Sequence, residues 1–307
     1  MTATHIDPPC ALCGNTTAER VAPIRDVRGG TSYEGWAVRC ESCGLVRVDP
    51  LPPPDQIAAY YPSGYGLHDE SAISRSAILG RRWLAGTGPL QRAGRHAYNL
   101  LAFRSLPEGA GRLLDVGAGI GQYVADMTEV GWDAQGVEPS AGAVELARRT
   151  GRRVQHGDVF ASFLNEERFD VVSFWHVLEH VHEPVAALRR AHSLLRAGGR
   201  LMLAVPNWDS WMRERVGSSW WALEAPRHVH HFTTDTLRRT LETSGFAVEF
   251  VRPKARGSMV AGSLAVKRAH APILRAPDAH VGHWAMDLAL AVANRTDSIW
   301  ACARRTS

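Results

Sequence analysis

The stretch LLDVGAGIG at residues 113–121 decides the fold of this protein. A short apolar run ends beside an acidic residue, and three alternating glycines then lead into an amphipathic segment. This order predicts a strand, a tight turn and a helix, with bare backbone at the helix N-terminus facing a ligand. The glycine turn of dinucleotide-binding folds is G-x-G-x-x-G/A, whereas here residue 122 is glutamine and the third glycine comes one position early.

Short apolar runs alternate with amphipathic stretches on both sides of this turn. The expected strands are 112–116, 134–138, 153–156, 169–175, 200–206 and 247–251, followed by a late strand at 298–303. The expected helices are 120–130, 141–150, 184–196 and 235–244. Such alternation requires parallel pairing through right-handed crossovers. We therefore predict an α/β fold, with a doubly wound Rossmann-like sheet and helices on both faces.

Acidic residues follow three successive strands of this predicted sheet. Asp115 precedes the glycine turn, where a carboxylate suits a sulfonium or ammonium group better than a pyrophosphate. Glu138 ends the next strand, where a carboxylate can bridge two ribose hydroxyls. Asp158 and Val159 follow the third strand, beside an adenine, and the fourth strand ends at Trp175. Together these groups suit adenosine joined to an amino acid that carries a positive sulfur.

Segment 113–207 resembles the class I S-adenosylmethionine-dependent methyltransferases. The stretches FDVVSFWHVLEHV (169–181) and LRAGGRL (195–201) are similar to the small-molecule branch, which includes ubiquinone-pathway O-methyltransferases. The resemblance is closer still to bacterial enzymes with an N-terminal four-cysteine module, among them deoxysugar C-methyltransferases and other natural-product enzymes. It extends to residue 252 and includes PRHVHHFT (226–233). It implies S-adenosylmethionine as methyl donor, contacted by Asp115, Gly117, Gly119, Gly121, Glu138, Asp158 and Val159.

Four of the five cysteines lie in the first 50 residues, as Cys10-Ala-Leu-Cys13-Gly and Cys40-Glu-Ser-Cys43-Gly. Two thiolates three residues apart can bind one ion, and the following glycine permits the tight turn, so the pattern predicts a pair of zinc knuckles. Few large apolar residues lie between them, and a structural Zn²⁺ contributes about 10–16 kcal/mol to folding such a module. Two disulfides are the alternative, which the lack of an apparent secretory signal disfavours.

Two histidine clusters follow predicted strands at the edge where the active site is expected. They are His176, Glu179, His180 and His182 in the first, and His228, His230 and His231 in the second. In similar sugar C-methyltransferases a histidine matching His228 is a proposed base, preceded by a glutamate. Here Arg227 takes that place, which favours an anionic substrate. We expect His228 as general base and His180 as second candidate, with purely structural roles for both as the alternative.

Other features of these clusters leave alternatives open. His176 and His180 are four residues apart, so a helix there would place both rings on one metal ion. The tryptophans between the clusters either line an aromatic substrate pocket or anchor the insertion onto the sheet: Trp208, Trp211, Trp220 and Trp221. Tyr60, Tyr61 and Tyr65 either close over the site or serve in packing.

The chain has 307 residues and is 45% hydrophobic, enough for about two domains with a true core. We expect a zinc-binding four-cysteine module at 1–50 and a linker with a helical lid at 51–106. The S-adenosylmethionine-binding domain should span 107–252, with a substrate-side insertion at 206–233. A C-terminal helical insertion and the last strand should occupy 253–307, the stretch that the resemblance does not cover.

The main competing function is a zinc-module rRNA or tRNA methyltransferase. A module that grips RNA should be basic. Residues 1–50 instead hold five arginines and six acidic residues, whereas 252–307 holds nine basic residues against three acidic ones. We therefore expect methyl transfer to a small-molecule acceptor and not to nucleic acid, with oxygen, nitrogen and carbon all left open as the methylated atom.

The remaining expectations concern location and assembly. The net charge of +4 is mild, and no apolar run approaches the roughly 20 residues of a membrane span. We expect a cytoplasmic enzyme that is a monomer or a homodimer. A catalytically inactive zinc-dependent scaffold is the second alternative, which the intact glycine turn and Glu138 disfavour.

Overall fold

The computed structural model describes most of the chain, namely residues 3–28, 31–61, 83–84, 86–101, 104–254, 257–269 and 295–306. Residues 270–294 of the predicted C-terminal stretch and residues 62–82 of the predicted helical lid, Tyr65 among them, lie outside these ranges. No helix in the described ranges combines the length and the apolar character needed to cross a membrane.

Twelve strands occur in the described residues. In chain order they are β1 (Ala3–His5), β2 (Thr17–Arg25), β3 (Glu34–Cys40), β4 (Val46–Asp49), β5 (Arg112–Val116), β6 (Asp133–Glu138), β7 (Val154–His156), β8 (Phe169–Trp175), β9 (Leu195–Pro206), β10 (His230–His231), β11 (Phe246–Lys254) and β12 (Ser298–Arg305). The helices are α1 (Pro89–Leu101), α2 (Gln122–Glu129), α3 (Ala141–Arg149), α4 (Pro184–Leu194), α5 (Trp211–Val216), α6 (Thr234–Thr243) and α7 (Gly257–Ala269).

Seven strands form the central sheet in the order β11-β12-β9-β8-β5-β6-β7. The pairs from β7 across to β9 are parallel, whereas β12 runs antiparallel to both β9 and β11. The doubly wound α/β fold predicted from the sequence is confirmed. The predicted late strand is β12, which lies between β9 and β11. Its residues from Ile299 to Ala303 are buried, in keeping with an interior position in the sheet.

Helices cover both faces of this sheet. Leu188 of α4 and Leu237 of α6 belong to one core cluster, and Val124 of α2 belongs to the other. The neighbours Leu113 and Leu114 of β5 point to opposite faces and are both fully buried. A parallel strand covered on both faces has a continuous apolar run, which is why the sequence identified these strands.

One helix end differs from the expectation. The sequence predicts a helix to residue 196, ended by the pair Gly198-Gly199, but α4 ends at Leu194 and β9 begins directly at Leu195. Leu195 pairs with Phe169 and is fully buried, so the sheet determines its extended backbone. The glycines lie instead in an irregular part of the β8–β9 pairing, where Gly198 has φ +74°.

A second sheet is built from the four-cysteine module, residues 1–50, and from one strand far along the chain. Its order is β1-β2-β3-β4-β10, and all its pairs are antiparallel. The sequence does not predict these strands, because β2 shows no regular alternation of buried and exposed residues. β10 comes from the insertion after β9, so the module and the substrate-side insertion share a sheet.

Candidate active site

The glycine turn after β5 adopts a conformation that favours glycine at three positions. Gly117, Gly119 and Gly121 have φ values of +67°, +55° and +74°. A Cβ on Gly117 would lie 2.5 Å from a methyl group of Val177, and one on Gly121 would lie 2.7 Å from Val154. A Cβ on Gly119 would have no other group within 4 Å, so the turn is open at this position.

Two acidic residues are fixed around this turn. Glu138 accepts hydrogen bonds from the backbone N–H of Gly119 and of Ser140, both at 2.9 Å. Asp115 is 2% exposed and accepts a hydrogen bond of 2.7 Å from the Ser173 hydroxyl. Burial raises the pKa of Asp115 to about 7. The structure therefore joins Glu138 directly to the turn and places Asp115 just beneath it.

The other predicted cofactor residues lie at the same edge of the sheet. Asp158 follows β7 and accepts a hydrogen bond of 2.8 Å from the backbone N–H of Phe160, while Val159 is buried beside it. Trp175 ends β8, is 6% exposed and packs edge-to-face on Tyr123, with ring centroids 5.4 Å apart. Parallel strands bring these side chains to one edge.

Beyond this edge, the buried ring of His228 packs on the half-buried ring of His180. Their ring centroids are 4.5 Å apart in an edge-to-face arrangement. The Nδ1 of His228 lies 2.8 Å from the carbonyl oxygen of Ala222, and the Nδ1 of His180 lies 3.0 Å from that of Arg227. A carbonyl oxygen only accepts hydrogen bonds, so we assign the proton of each neutral ring to Nδ1. The lone pair of each ring is then on Nε2.

Two buried carboxylates face the Nε2 of His228. The distances are 3.7 Å to an oxygen of Glu224 and 4.0 Å to an oxygen of Glu179. Burial, with His180 as a second cause, holds the pKa of His228 well below its usual range. Burial also lowers the pKa of His180. Both rings are therefore neutral near pH 7, and the carboxylates would stabilise the imidazolium that forms when His228 takes up a proton.

The expectation that Arg227 binds an anionic substrate is wrong. Its side chain is fully buried, and its guanidinium forms a two-pronged ion pair with Asp26 of the four-cysteine module. It also donates to the carbonyl oxygen of Tyr60 at 2.7 Å and lies 3.4 Å from Glu224. The charge of Arg227 is thus used inside the protein, which a sequence without burial information does not show.

The alternative in which His176 and His180 lie on one face of a helix is also wrong. His176 has φ +57°, outside any helix, and the segment Leu178–His180 is a single 3₁₀ turn. The ring nitrogens of His176 face Glu179 at 3.1 Å and the Ser298 hydroxyl at 3.4 Å. The two rings therefore have different partners.

The aromatic residues of the insertion favour anchoring over pocket lining. Trp208 and Trp220 are at most 1% exposed and pack on each other, with ring centroids 6.3 Å apart. The indole N–H of Trp220 donates to Asp297 at 2.8 Å, which ties the insertion to the start of β12. Tyr61 lies closer to the histidine pair, because its hydroxyl is 3.0 Å from the Nδ1 of His180.

The four cysteines of the module converge on one point. Their sulfur atoms all lie within 4.8 Å of one another, and the Cys10–Cys43 and Cys13–Cys40 distances are both 3.5 Å. A disulfide needs about 2.05 Å, so the disulfide alternative is wrong for this structure. Both knuckles close in the same way: Gly14 donates to the Cys10 carbonyl at 2.8 Å, and Gly44 to the Cys40 carbonyl at 3.0 Å.

Comparison with known proteins identifies the family. Residues 90–250 match the family described as "Methyltransferase domain". The ubiquinone biosynthesis O-methyltransferase of Xanthomonas axonopodis pv. citri (strain 306) is 30% identical over 177 residues, which cover 53% of this chain and 73% of that protein. The protein of that name from Rhodopseudomonas palustris (strain BisA53) is 27% identical over 205 residues, covering 59% and 81%.

A solved structure shows the same fold. One chain in the complex between the Haloferax volcanii Trm112 methyltransferase activator and the putative methyltransferase superimposes with a TM-score of 0.51 at 14% identity. The superposition covers 82% of this chain and 97% of that one. The glycine turn, the acidic strand ends and the match over half of the chain lead to one conclusion: this protein belongs to the methyltransferase domain family and is a class I S-adenosylmethionine-dependent methyltransferase.

Proposed function

We propose that this protein methylates a small molecule at an atom that must lose a proton, with His228 as general base. The observation that carries the proposal is the buried ring of His228, whose Nε2 faces the carboxylates of Glu224 and Glu179. Gly117 of the cofactor turn packs on Val177, three residues before His180, and His180 packs on His228. These contacts connect the glycine turn after β5 to His228.

The residues at the sheet edge suit S-adenosylmethionine. The open position at Gly119 leaves room for a ligand against the backbone, and Glu138 beside it suits ribose hydroxyls. Asp115 suits the ammonium group, and Asp158 with Val159 and Trp175 suits the adenosine part. When bound, the donor supplies an activated methyl group on a positive sulfur.

The chain itself supplies alignment, a dry site and a proton acceptor. The Nε2 of His228 accepts the proton of the acceptor group, and Glu224 and Glu179 stabilise the charged ring. His180 packs edge-on and limits the tilt of the His228 ring. A base is needed for a hydroxyl group or for a carbon next to a carbonyl, whereas a neutral amine needs less help.

A small-molecule acceptor agrees with both the relatives and the charges. The matched Xanthomonas and Rhodopseudomonas proteins are named for O-methylation in ubiquinone biosynthesis. Two of the module's arginines are used internally: Arg47 donates to the carbonyl oxygens of Asp7 and Pro8, and Arg28 pairs with Glu224 at 2.9 Å. They do not form the exposed basic surface that RNA phosphates require.

The four cysteines suit a structural zinc ion. Tetrahedral Zn²⁺ with Zn–S bonds of about 2.3 Å places its sulfur ligands about 3.8 Å apart, close to the distances in this cluster. The bond with Cys43 lowers the pKa of Cys10 to about 5, so one thiolate is available near neutral pH. Because four sulfurs complete the coordination, we assign this ion to folding and not to catalysis.

The test is a methyl-transfer assay with purified enzyme, S-adenosylmethionine and a panel of phenols, quinols and sugar derivatives, read as release of S-adenosylhomocysteine. We expect turnover with at least one hydroxyl or carbon acceptor and none with bulk RNA. Turnover of RNA alone, with salt-dependent retention on a filter, would contradict the small-molecule assignment.

The affinity for S-adenosylmethionine should depend on the protonation of Asp115. Its pKa is about 7, so the carboxylate is charged above pH 7 and neutral below it. The cationic donor prefers the charged form, so affinity should fall as pH decreases from 8 to 6, with proton release on binding at the lower pH. Asp115→Asn should weaken binding about tenfold at pH 8 and remove this pH dependence.

Calorimetry in buffers of different ionisation enthalpy measures both the affinity and the protons released. Asp133→Asn is the matched control, because Asp133 is largely exposed at the start of β6 and pairs with Arg153. Unchanged affinity and an unchanged pH profile in Asp115→Asn would refute the assignment of Asp115 to the ammonium group.

A further inference from the structure

We propose that the four-cysteine module holds the general base in place, and that Asp26 is a positioning residue for His228. This inference rests on the proposed role of His228. The contacts that carry it lie on both sides of the histidine in the chain, and they all lead to the loop after β2 or to β4.

Asp26 is itself rigidly held by its own loop. It is 3% exposed, and it accepts hydrogen bonds from the backbone N–H of Arg28 at 2.9 Å and of Thr31 at 2.8 Å. Burial tends to raise its pKa, but the bonds from Arg227, Arg28 and Thr31 together outweigh burial and hold the pKa of Asp26 below its ordinary value. The carboxylate is therefore a fixed negative charge in the module.

Arg227, the residue before His228, is bound to the carboxylate of Asp26. Both terminal nitrogens of Arg227 bond to the two oxygens of Asp26, a fork that fixes direction as well as distance. The backbone carbonyl of Arg227 accepts from the Nδ1 of His180. The backbone on the N-terminal side of His228 is therefore fixed by Asp26 through Arg227. The ring of His180 is bound to the same arginine.

Glu224, one of the two carboxylates that face His228, is bound to the same loop after β2. Glu224 has an αL backbone, with φ +38°, and its carboxylate pairs with Arg28 at 2.9 Å. Its other oxygen lies 3.4 Å from the Nε of Arg227. The carboxylate that faces His228 at 3.7 Å is thus oriented by two arginines, of which Arg28 belongs to the module.

The residue after the base is bound to the module as well. The backbone N–H of Val48 donates to the carbonyl oxygen of Val229 at 3.1 Å. The strand that follows, β10, pairs with β4 through His231↔Val46 and His230↔Arg47. His228 is therefore held between an ion pair on one side and a strand pairing on the other, both formed with the first 50 residues.

A displaced base should lose catalytic efficiency without a change in donor binding, because a misplacement of about 1 Å can cost about 100-fold in rate. We expect Asp26→Asn to lower kcat about tenfold, with the affinity for S-adenosylmethionine and the zinc content unchanged. In the His228→Ala background, Asp26→Asn should lower the residual kcat less than twofold, because its effect acts through the missing ring. Single-turnover assays with calorimetry and metal analysis provide these readouts.

Two further variants make the comparison decisive. Glu34→Gln is the matched control, because Glu34 is an exposed acid of β3 in the same sheet, and it should keep full kcat. If Asp26→Asn does not fold, Asp26→Asn combined with Arg227→Gln removes both buried charges and permits the same comparison.

The outcomes separate this proposal from the one it rests on. An equal loss of kcat with and without His228, or unchanged kcat in Asp26→Asn, would overturn the positioning role and leave His228 as base. Full activity of His228→Ala would instead overturn the proposed base itself. Parallel loss of donor binding and zinc in Asp26→Asn would show a general structural role and also refute the proposal.

Discussion

Replacing His228 by alanine is expected to lower kcat by about 10²–10⁴-fold and to leave the affinity for S-adenosylmethionine nearly unchanged. The ring provides the buried lone pair that faces Glu224 and Glu179, whereas the predicted donor contacts lie on or just after β5, β6, β7 and β8. Steady-state kinetics and calorimetry on the same preparation separate the two effects. Retained activity would give the histidine a structural role.

The pH dependence of kcat is a second test of the role of His228. Only neutral His228 can accept a proton, so kcat should fall as pH decreases through its pKa. Burial holds that pKa well below 6.5, so the fall should begin well below pH 6.5. His5→Ala is the control variant, since His5 is exposed on β1, at the opposite edge of the second sheet from β10. It should keep both the rate and the profile.

Replacing Cys40 by serine should abolish binding of the proposed zinc ion and unfold the four-cysteine module. Structural zinc contributes about 10–16 kcal/mol in comparable modules, which exceeds the total stability of many domains. Cys40 is 3% exposed and belongs to the same core cluster as Phe232 and Leu237. The damage should therefore reach the insertion and α6, with loss of activity as a consequence of misfolding.

Metal analysis, thermal unfolding and limited proteolysis measure this effect. Cys302→Ser is the matched control: Cys302 is equally buried but lies in β12 beside Glu249, and its replacement should leave the zinc content unchanged. A zinc-free Cys40→Ser protein with the stability of the parent would show that the cluster is dispensable.

The central sheet was predictable because its strands carry a continuous apolar signal. Phe169–Trp175 matches the expected strand at both ends. β12 was expected as a strand from its apolar residues, but its insertion between β9 and β11 depends on pairings that no local pattern encodes. The strands of the module gave no such signal, because the buried and exposed residues of β2 and β3 do not alternate regularly.

Some residues of the candidate site were likewise predictable from the sequence, and others were not. The structure places Asp115 and Glu138 beside the glycine turn, and the spacing of strands and turn was sufficient to predict their positions. Glu224 and Asp26 were missed, because tertiary packing brings them to the histidine pair. Asp26 and Arg227 are 201 residues apart in the chain. The i,i+4 spacing of Glu224 and His228 would have been a signal only if that segment had been expected to turn helically.

The shared sheet has a consequence for biosynthesis. β10 is the fifth strand of a sheet whose other four strands all precede residue 50 and are therefore synthesised well before it. Until residue 231 has been synthesised, β4 presents an open edge, the kind of surface on which nascent chains associate wrongly. Binding of the proposed zinc ion would stabilise β1 to β4 while this edge is open, so growth under zinc limitation should reduce the yield of the folded protein.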